Sequence, residues 1–167
     1  MARINLVLGI LLGIAATFGG PMASGSVRNM FNAQLMEKAV PTPGPALPDG
    51  TPGRTTLEVS PIDRAADAVR WQDYQKGIQS ISIYSLALVG LGLLGTPGKG
   101  QLLGGIGFGL GTLLYGGGLA LGAYFNMPTI GVLAPIGAMI LLAGWGGLLL
   151  AAIQGQGEKP MPVTVPE

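Results

Sequence analysis

At 167 residues, 49% hydrophobic and only 10% charged, with a mean hydropathy of +0.53, the chain lacks the polar surface of a soluble domain, where about a quarter of residues are charged. A net charge of +1 from 9 basic and 8 acidic residues leaves no electrostatic footprint for nucleic acid. The absence of Cys and His excludes disulfides, thiolate nucleophiles, Cys-based metal sites and the usual proton shuttle near neutral pH.

A membrane-spanning helix takes about 20 mostly apolar residues at a rise of about 1.5 Å each. The first stretch of that kind covers residues 4–22, behind Arg3. The same layout fits a secretory signal peptide, for which Ala23-Ser24-Gly25 is a passable cleavage site. We read the segment as a retained anchor.

Residues 23–76 form the long polar segment and read as an extramembrane loop in three parts. From Ser26 to Ala39, Val27, Met30, Phe31 and Leu35 share one helical face, which predicts a short amphipathic helix. The linker 41–56 carries Pro41, Pro43, Pro45, Pro48 and Pro52 among Gly44, Gly50 and Gly53, which predicts extended chain without regular helix or sheet. Ser60-Pro61-Ile62-Asp63 then combines an N-cap hydroxyl, a first-turn proline and an early acid, so a second amphipathic helix starts there. Ile62, Ala65, Ala66 and Val69 are its expected apolar face. Asp63, Asp67, Arg70 and Asp73 are expected on a solvated face, with Asp67 and Arg70 paired. That helix can run on through Trp71 and Tyr74, placed at headgroup level as interfacial aromatics, into the second span.

The second span covers 77–94 and stops at Gly95-Thr96-Pro97-Gly98. The third covers 102–125 and the fourth 130–153; the turn Asn126-Met127-Pro128-Thr129 is so short that these two helices must lie antiparallel. In the third span Gly104, Gly107, Gly111, Gly118 and Gly122 recur at nearly helical spacing, which predicts close backbone packing inside one bundle. Pro135 removes an amide donor and frees the carbonyl of Gly131, which predicts a kink near the entry of the fourth span. Trp145 reads as a third interfacial aromatic. The fold class is therefore all-α integral membrane: a single domain of four transmembrane helices with the long loop between helices one and two.

The polar residues inside these spans are Asn5, Thr17, Gln79, Ser80, Ser82, Tyr84, Ser85, Thr112, Tyr115, Tyr124 and Trp145, none of them charged. Proton relays and ion-coupled carriers place ionisable groups at membrane depth, so that class is disfavoured. Ser82 and Ser85 are expected to bond to carbonyls of their own helix. No catalytic triad, metal cluster or nucleotide motif is present, so we expect no enzyme, no catalytic or metal-ligating residue and no required cofactor. A bound lipid or pigment is the one ligand left open, in a groove lined by Ser82, Ser85, Thr112 or Tyr115. With four spans, Arg3, Lys99 and Lys159 share one side with Glu158 and Glu167, while the long loop balances six bases with six acids. The positive-inside rule then places both termini in the cytoplasm.

Gly111-Thr112-Leu113-Leu114-Tyr115-Gly116-Gly117-Gly118-Leu119, Ala134-Pro135-Ile136-Gly137-Ala138 and Gly144-Trp145 together resemble the small four-helix bacterial inner-membrane proteins of domain-of-unknown-function family 423. Those proteins tend to read G-T-x-L-F-S-G-S-L, T-P-x-G-G and G-W in that order. Tyr84-Ser85-Leu86-Ala87 and Phe18-Gly19-Gly20-Pro21 are similar to the family's H-x-L-A and F-G-A-H segments. Both family histidines are replaced, by Tyr84 and Pro21, and Gly116 and Gly118 stand for serines. The resemblance implies a four-helix fold, an inner-membrane location and cytoplasmic termini, and no mechanism. The expected role is a non-catalytic structural or accessory subunit, partnered by membrane lipid and by the subunits of a larger complex, such as a respiratory or photosynthetic assembly, or by itself. The alternative is a small transport, lipid-handling or pigment-handling protein.

Overall fold

In the computed structural model, residues 1–44, 53–95 and 98–155 are described. Four helical stretches are long and apolar enough to cross a membrane: Ala2–Met22, Pro61–Leu94, Lys99–Tyr124 and Pro128–Gln154. In the most apolar part of each, 56% of the third is buried against 22–28% of the others, which makes the third the centre of the bundle.

Helix α1 (Ala2–Thr17) continues into a π turn, Phe18–Met22, that holds Pro21. Proline has no amide to donate, and the wider i→i+5 turn accommodates that gap without ending the helix. Helix α2 (Ser24–Met36) follows directly and buries Val27 and Phe31.

The linker departs from expectation at its ends. Strands β1 (Val40–Thr42) and β2 (Thr56–Glu58) pair antiparallel, with Val40 opposite Glu58, Pro41 opposite Leu57 and Thr42 opposite Thr56. Both strands of a two-stranded ribbon are edges, so Pro41 can face its missing donor away from the partner. The proline-rich centre, 45–52, lies outside the described residues.

Helix α3 (Pro61–Leu94) is a single rod of 34 residues. The Ser60 hydroxyl accepts from the amide of Ile62 at 3.3 Å, Pro61 fills the first turn, and Gly95 closes the helix in the left-handed conformation at φ 65°. At about 1.5 Å per residue the rod is roughly 50 Å long, against a hydrocarbon core of about 30 Å. The expected second amphipathic helix is therefore the outer end of this rod, and residues 61–76 are not a separate short helix in a loop.

The rotation of that outer end is also different. Ile62 is 80% exposed and Val69 57%, with Ala65 and Ala66 exposed as well, whereas Asp67 and Tyr74 are buried and Arg70 and Trp71 half-buried. Trp and Tyr carry far more apolar area than alanine, so α3 turns its aromatic stripe, not its alanine stripe, toward α2.

Helix α4 (Lys99–Thr112), a π turn at Leu113–Gly117 and helix α5 (Gly118–Tyr124) form the third rod. Asn126, at φ 55°, turns the chain into the one-turn α6 (Pro128–Gly131). The helical path breaks at Val132 and Leu133, and α7 (Ala134–Gly155) begins with Pro135 in its first turn. The kink expected near Pro135 is realised as this interruption.

Helices α4 and α7 form the most extensive pair, followed by α1 against α3. Two cores result. One joins Leu12, Leu88, Leu91, Phe108, Leu141 and Ala151 along the rods. The other gathers Val27, Phe31, Tyr74, Ala120 and Ala123 where α2 lies on α3 and α5.

Candidate functional site

The α4–α7 seam is built from glycine. A Cβ placed on Gly107 would lie 2.5 Å from both Cα and N of Gly144, and one on Gly111 would lie 2.8 Å from Cγ of Leu141. A Cβ on Gly104 would lie 2.8 Å from a methyl of Leu91 and 3.3 Å from the amide of Leu148, while one on Gly147 would fall on the Gly104 backbone. The helices thus approach to backbone contact, a separation that no other residue permits. Gly118 and Gly122 lie elsewhere, facing the α5–α6 turn: a Cβ on Gly118 would lie 3.4 Å from the Ile130 carbonyl oxygen, and one on Gly122 would lie 3.2 Å from that of Met127.

Of the predicted aromatics, Trp145 is half exposed and meets Phe108 edge to face at 5.3 Å, while Tyr84 stacks on the other side at 6.0 Å. Trp71 and Tyr74 stack on each other at 5.8 Å, and Phe31 of α2 meets both edge-on at 6.2 and 6.3 Å. These rings pack on protein, α2 supplying the third ring of the cluster.

A polar rung crosses the bundle near the start of α1. Asn5 is buried and donates from Nδ2 to the carbonyl of Gln101 at 3.2 Å, and Gln101, also buried, donates from Nε2 to the carbonyl of Leu91 at 3.1 Å. The rung ties α1 to α4 and α4 to α3. Substituting Asn5 by Ala is expected to cost about 1 kcal/mol, near the usual value for interhelical hydrogen bonds in membranes. Thr17→Ala is the control, since its hydroxyl serves the carbonyl of Gly13 in its own helix at 2.9 Å. Melting in detergent measures both, and equal melting temperatures would refute the rung's contribution. Ser82 and Ser85 do bond within their helix, to Ile78 and Ser82 carbonyls at 3.1 and 2.7 Å. The Thr112 hydroxyl is buried with no partner.

The second polar assembly clamps α2 to the bundle. Nη1 of Arg28 meets Oδ2 of Asp67 at 2.9 Å, and its guanidinium lies 5.4 Å from the Trp71 ring. Lys38 meets Asp63 at 2.9 Å on the surface. Arg70 does most: Nε donates to the Ala123 carbonyl at 2.5 Å, Nη2 to the Tyr124 carbonyl at 3.0 Å, Nη1 to Oε1 of Gln34 at 2.7 Å, and its plane sits 3.8 Å over Phe31. These carbonyls lie at the negative end of a helix, where a cation is favoured, and that of Ala123 also accepts from the amide of Asn126 at 3.3 Å. The predicted Asp67–Arg70 pair is thus overturned, since α2 brings Arg28 to Asp67 and the α5 terminus takes Arg70; of the expected solvated face, Asp67 is buried while Asp63 stays at the surface.

Burial pushes the pKa of Arg70 below its ordinary value, and Asp67 opposes that shift. Burial, then Tyr124, pushes the Tyr74 phenol up, so it stays neutral and donates to the Gly19 carbonyl. A raised folded-state value means that this contribution is complete below the ordinary phenol value of 10.0 and declines as pH rises beyond it. Replacing Asp67, whose side chain is 7% exposed, by Ala leaves Arg28 without its acceptor; the expected loss is about 1.5–3 kcal/mol, the usual worth of a hydrogen bond to a charged group. Chemical denaturation of the two proteins side by side measures it, and superimposable curves would contradict it.

An apolar groove of about 470 Å³ runs between α1 and α4, lined by Ile4, Leu8, Gly105, Ile106, Gly109 and their neighbours. Ser82, Ser85, Thr112 and Tyr115, expected around any groove, do not line it. Among the described residues no three His, Cys, Asp or Glu side chains gather as a metal site would require.

Sequence reasoning passed over Gln101 because it lies one residue before the third span and over Arg28 because its partner comes from a distant element, and it gave Arg70 the wrong partner for the same reason. A lone Asn5 in an apolar run was the available signal for the rung. Compared with known proteins, the chain matches no family model, no curated protein and no solved structure.

Proposed function

We propose that the chain is a four-span integral protein of the bacterial inner membrane, with both termini in the cytoplasm, and that it serves as a non-catalytic accessory subunit. In this role it packs against a larger membrane complex or a second copy of itself. The observation that carries the reading is the glycine seam: α4 and α7 touch backbone to backbone and leave no room for a solute between them. Outward faces, by contrast, are broad and apolar, with Leu86, Leu93, Met139 and Leu142 each more than 70% exposed. Such faces suit lipid or neighbouring spans. Resemblance to family 423 and the basic flanks Arg3 and Lys99 support the location and orientation.

Extraction from native membranes in mild detergent, followed by sizing and identification of copurifying chains, tests the role. A larger assembly with a constant set of partners is expected. A protein that always migrates as a small isolated monomer would end the accessory-subunit reading. The groove between α1 and α4 favours lipid handling as a second reading.

A further inference from the structure

The two ends of the rods differ in charge. At the end formed by the start of α1, the end of α3 and the start of α4, Arg3 and Lys99 are exposed, and neither has an ion-pair partner among the described residues. No acidic residue occurs in 1–36, 74–95 or 98–155, so nothing described at that end neutralises them. The acids Glu37, Glu58, Asp63, Asp67 and Asp73 all belong to the opposite end.

The apolar groove opens at the basic end. Leu102, one turn beyond Lys99, and Ile4, next to Arg3, flank its mouth, and its far end is Leu113. Leu102 to Leu113 is 11 helical steps, about 16 Å at 1.5 Å each. One leaflet of a hydrocarbon core is about 15 Å deep. At its floor the side chains of Asn5 and Leu8 close over Gly105 and Gly109, whose lack of a Cβ lets α1 approach α4, and Asn5 also belongs to the polar rung. A second apolar depression of about 410 Å³ shares Ile4 and Leu8 with the first and has Arg3 in its wall.

We propose that this groove is a binding site for one anionic glycerophospholipid of the bilayer, with an acyl chain along Leu8, Ile106 and Leu110 and the phosphate held by Arg3 and Lys99. The length of one leaflet selects an acyl chain over a full transmembrane helix, which would need a groove twice as long. Two cations at the mouth with no ion-pair partner among the described residues select an anionic headgroup over a zwitterionic one. The inference rests on the four-span membrane reading and goes beyond it by naming a ligand and its site.

The test uses the full chain in mild detergent, stripped of lipid by detergent exchange and offered phosphatidylglycerol or phosphatidylcholine of identical acyl chains, with bound lipid read by native mass spectrometry. At about 1 kcal/mol per basic residue near an anionic surface, the two cations give the parent protein roughly a thirty-fold preference for phosphatidylglycerol. The double variant Arg3→Gln with Lys99→Gln touches only exposed side chains and should erase the preference. Ile106→Trp, which fills the groove from its rim, should reduce retention of both lipids while leaving the charges in place. Equal retention of the two lipids by the parent, or an undiminished preference in the double variant, would overturn the proposal. So would a disulfide-linked dimer formed in native membranes by Ile106→Cys, the chain's sole thiol, because it would show a second copy seated in the groove. Release of the parent protein by alkaline carbonate would sink the four-span reading itself, a failure distinguishable from the others because it is seen before any lipid is added.

Discussion

Gly107→Leu is expected to lower the melting temperature in detergent by about 6–12 °C, while Leu114→Ile, nearly constant in volume, leaves it almost unchanged. Even the first carbon of the new side chain would stand 2.5 Å from the Gly144 backbone, and backbone cannot rotate aside as a side chain can. Overpacking typically costs about 1–3 kcal/mol, and this position belongs at the top of that range because relief requires the whole α4–α7 pair to part. In a chain of this size about 3 kcal/mol corresponds to roughly 6–12 °C. Gly146→Leu, on the outer face of α7 with nothing within 4 Å of its Cβ position, is the matched control and should melt near the parent protein. Indistinguishable curves for Gly107→Leu and Gly146→Leu would show that the seam is not in close contact, and the argument for a closed bundle would fall with it.

The second large effect is expected at Arg70. Its substitution by Ala removes the donors to the Ala123 and Tyr124 carbonyls and to Gln34, together with the cation over Phe31. Allowing for non-additivity, the loss should be about 2–3 kcal/mol, and it should concentrate on the docking of α2. Opening of α2 would then be populated roughly 30- to 150-fold more often. Tryptic cleavage after Arg28 reads that opening, since cleavage tracks the open population when reclosing is fast. Lysine at this position should recover little, because a single ammonium cannot address the two carbonyls and the amide at once. An unaltered cleavage rate after Arg28 would show that Arg70 contributes nothing to holding α2 in place.

The stretches able to span a membrane were legible because apolarity summed over about 20 residues is a local property. So was the glycine seam, where Gly104, Gly107 and Gly111 fall on one side of a helix whatever the partner is. The rotation of the outer end of α3 was not. Ile62 and Val69 outrank Asp67 and Arg70 on any hydrophobic scale, and only the arrival of Phe31 and Arg28 from α2 makes the opposite face the one worth burying. The targets of Arg70 were illegible for a different reason, since backbone carbonyls at the end of α5 carry no residue signature. Proline count concealed the β1–β2 pairing, because Pro41 occupies an edge where its lost donor is harmless.

Chain order also dictates the order of assembly. Arg70 and the carbonyl it grips at Ala123 are 53 residues apart, and Asn5 and its acceptor Gln101 are 96 apart. At a synthesis rate of about 5–20 residues per second, Arg70 waits roughly 3–11 s for Ala123 to be made. During that interval α1, α2 and α3 have each other but lack the contacts that the third rod supplies. A nascent chain stalled before Ala123 should therefore keep its α2 segment open to protease, and it should close only when the third rod has been completed.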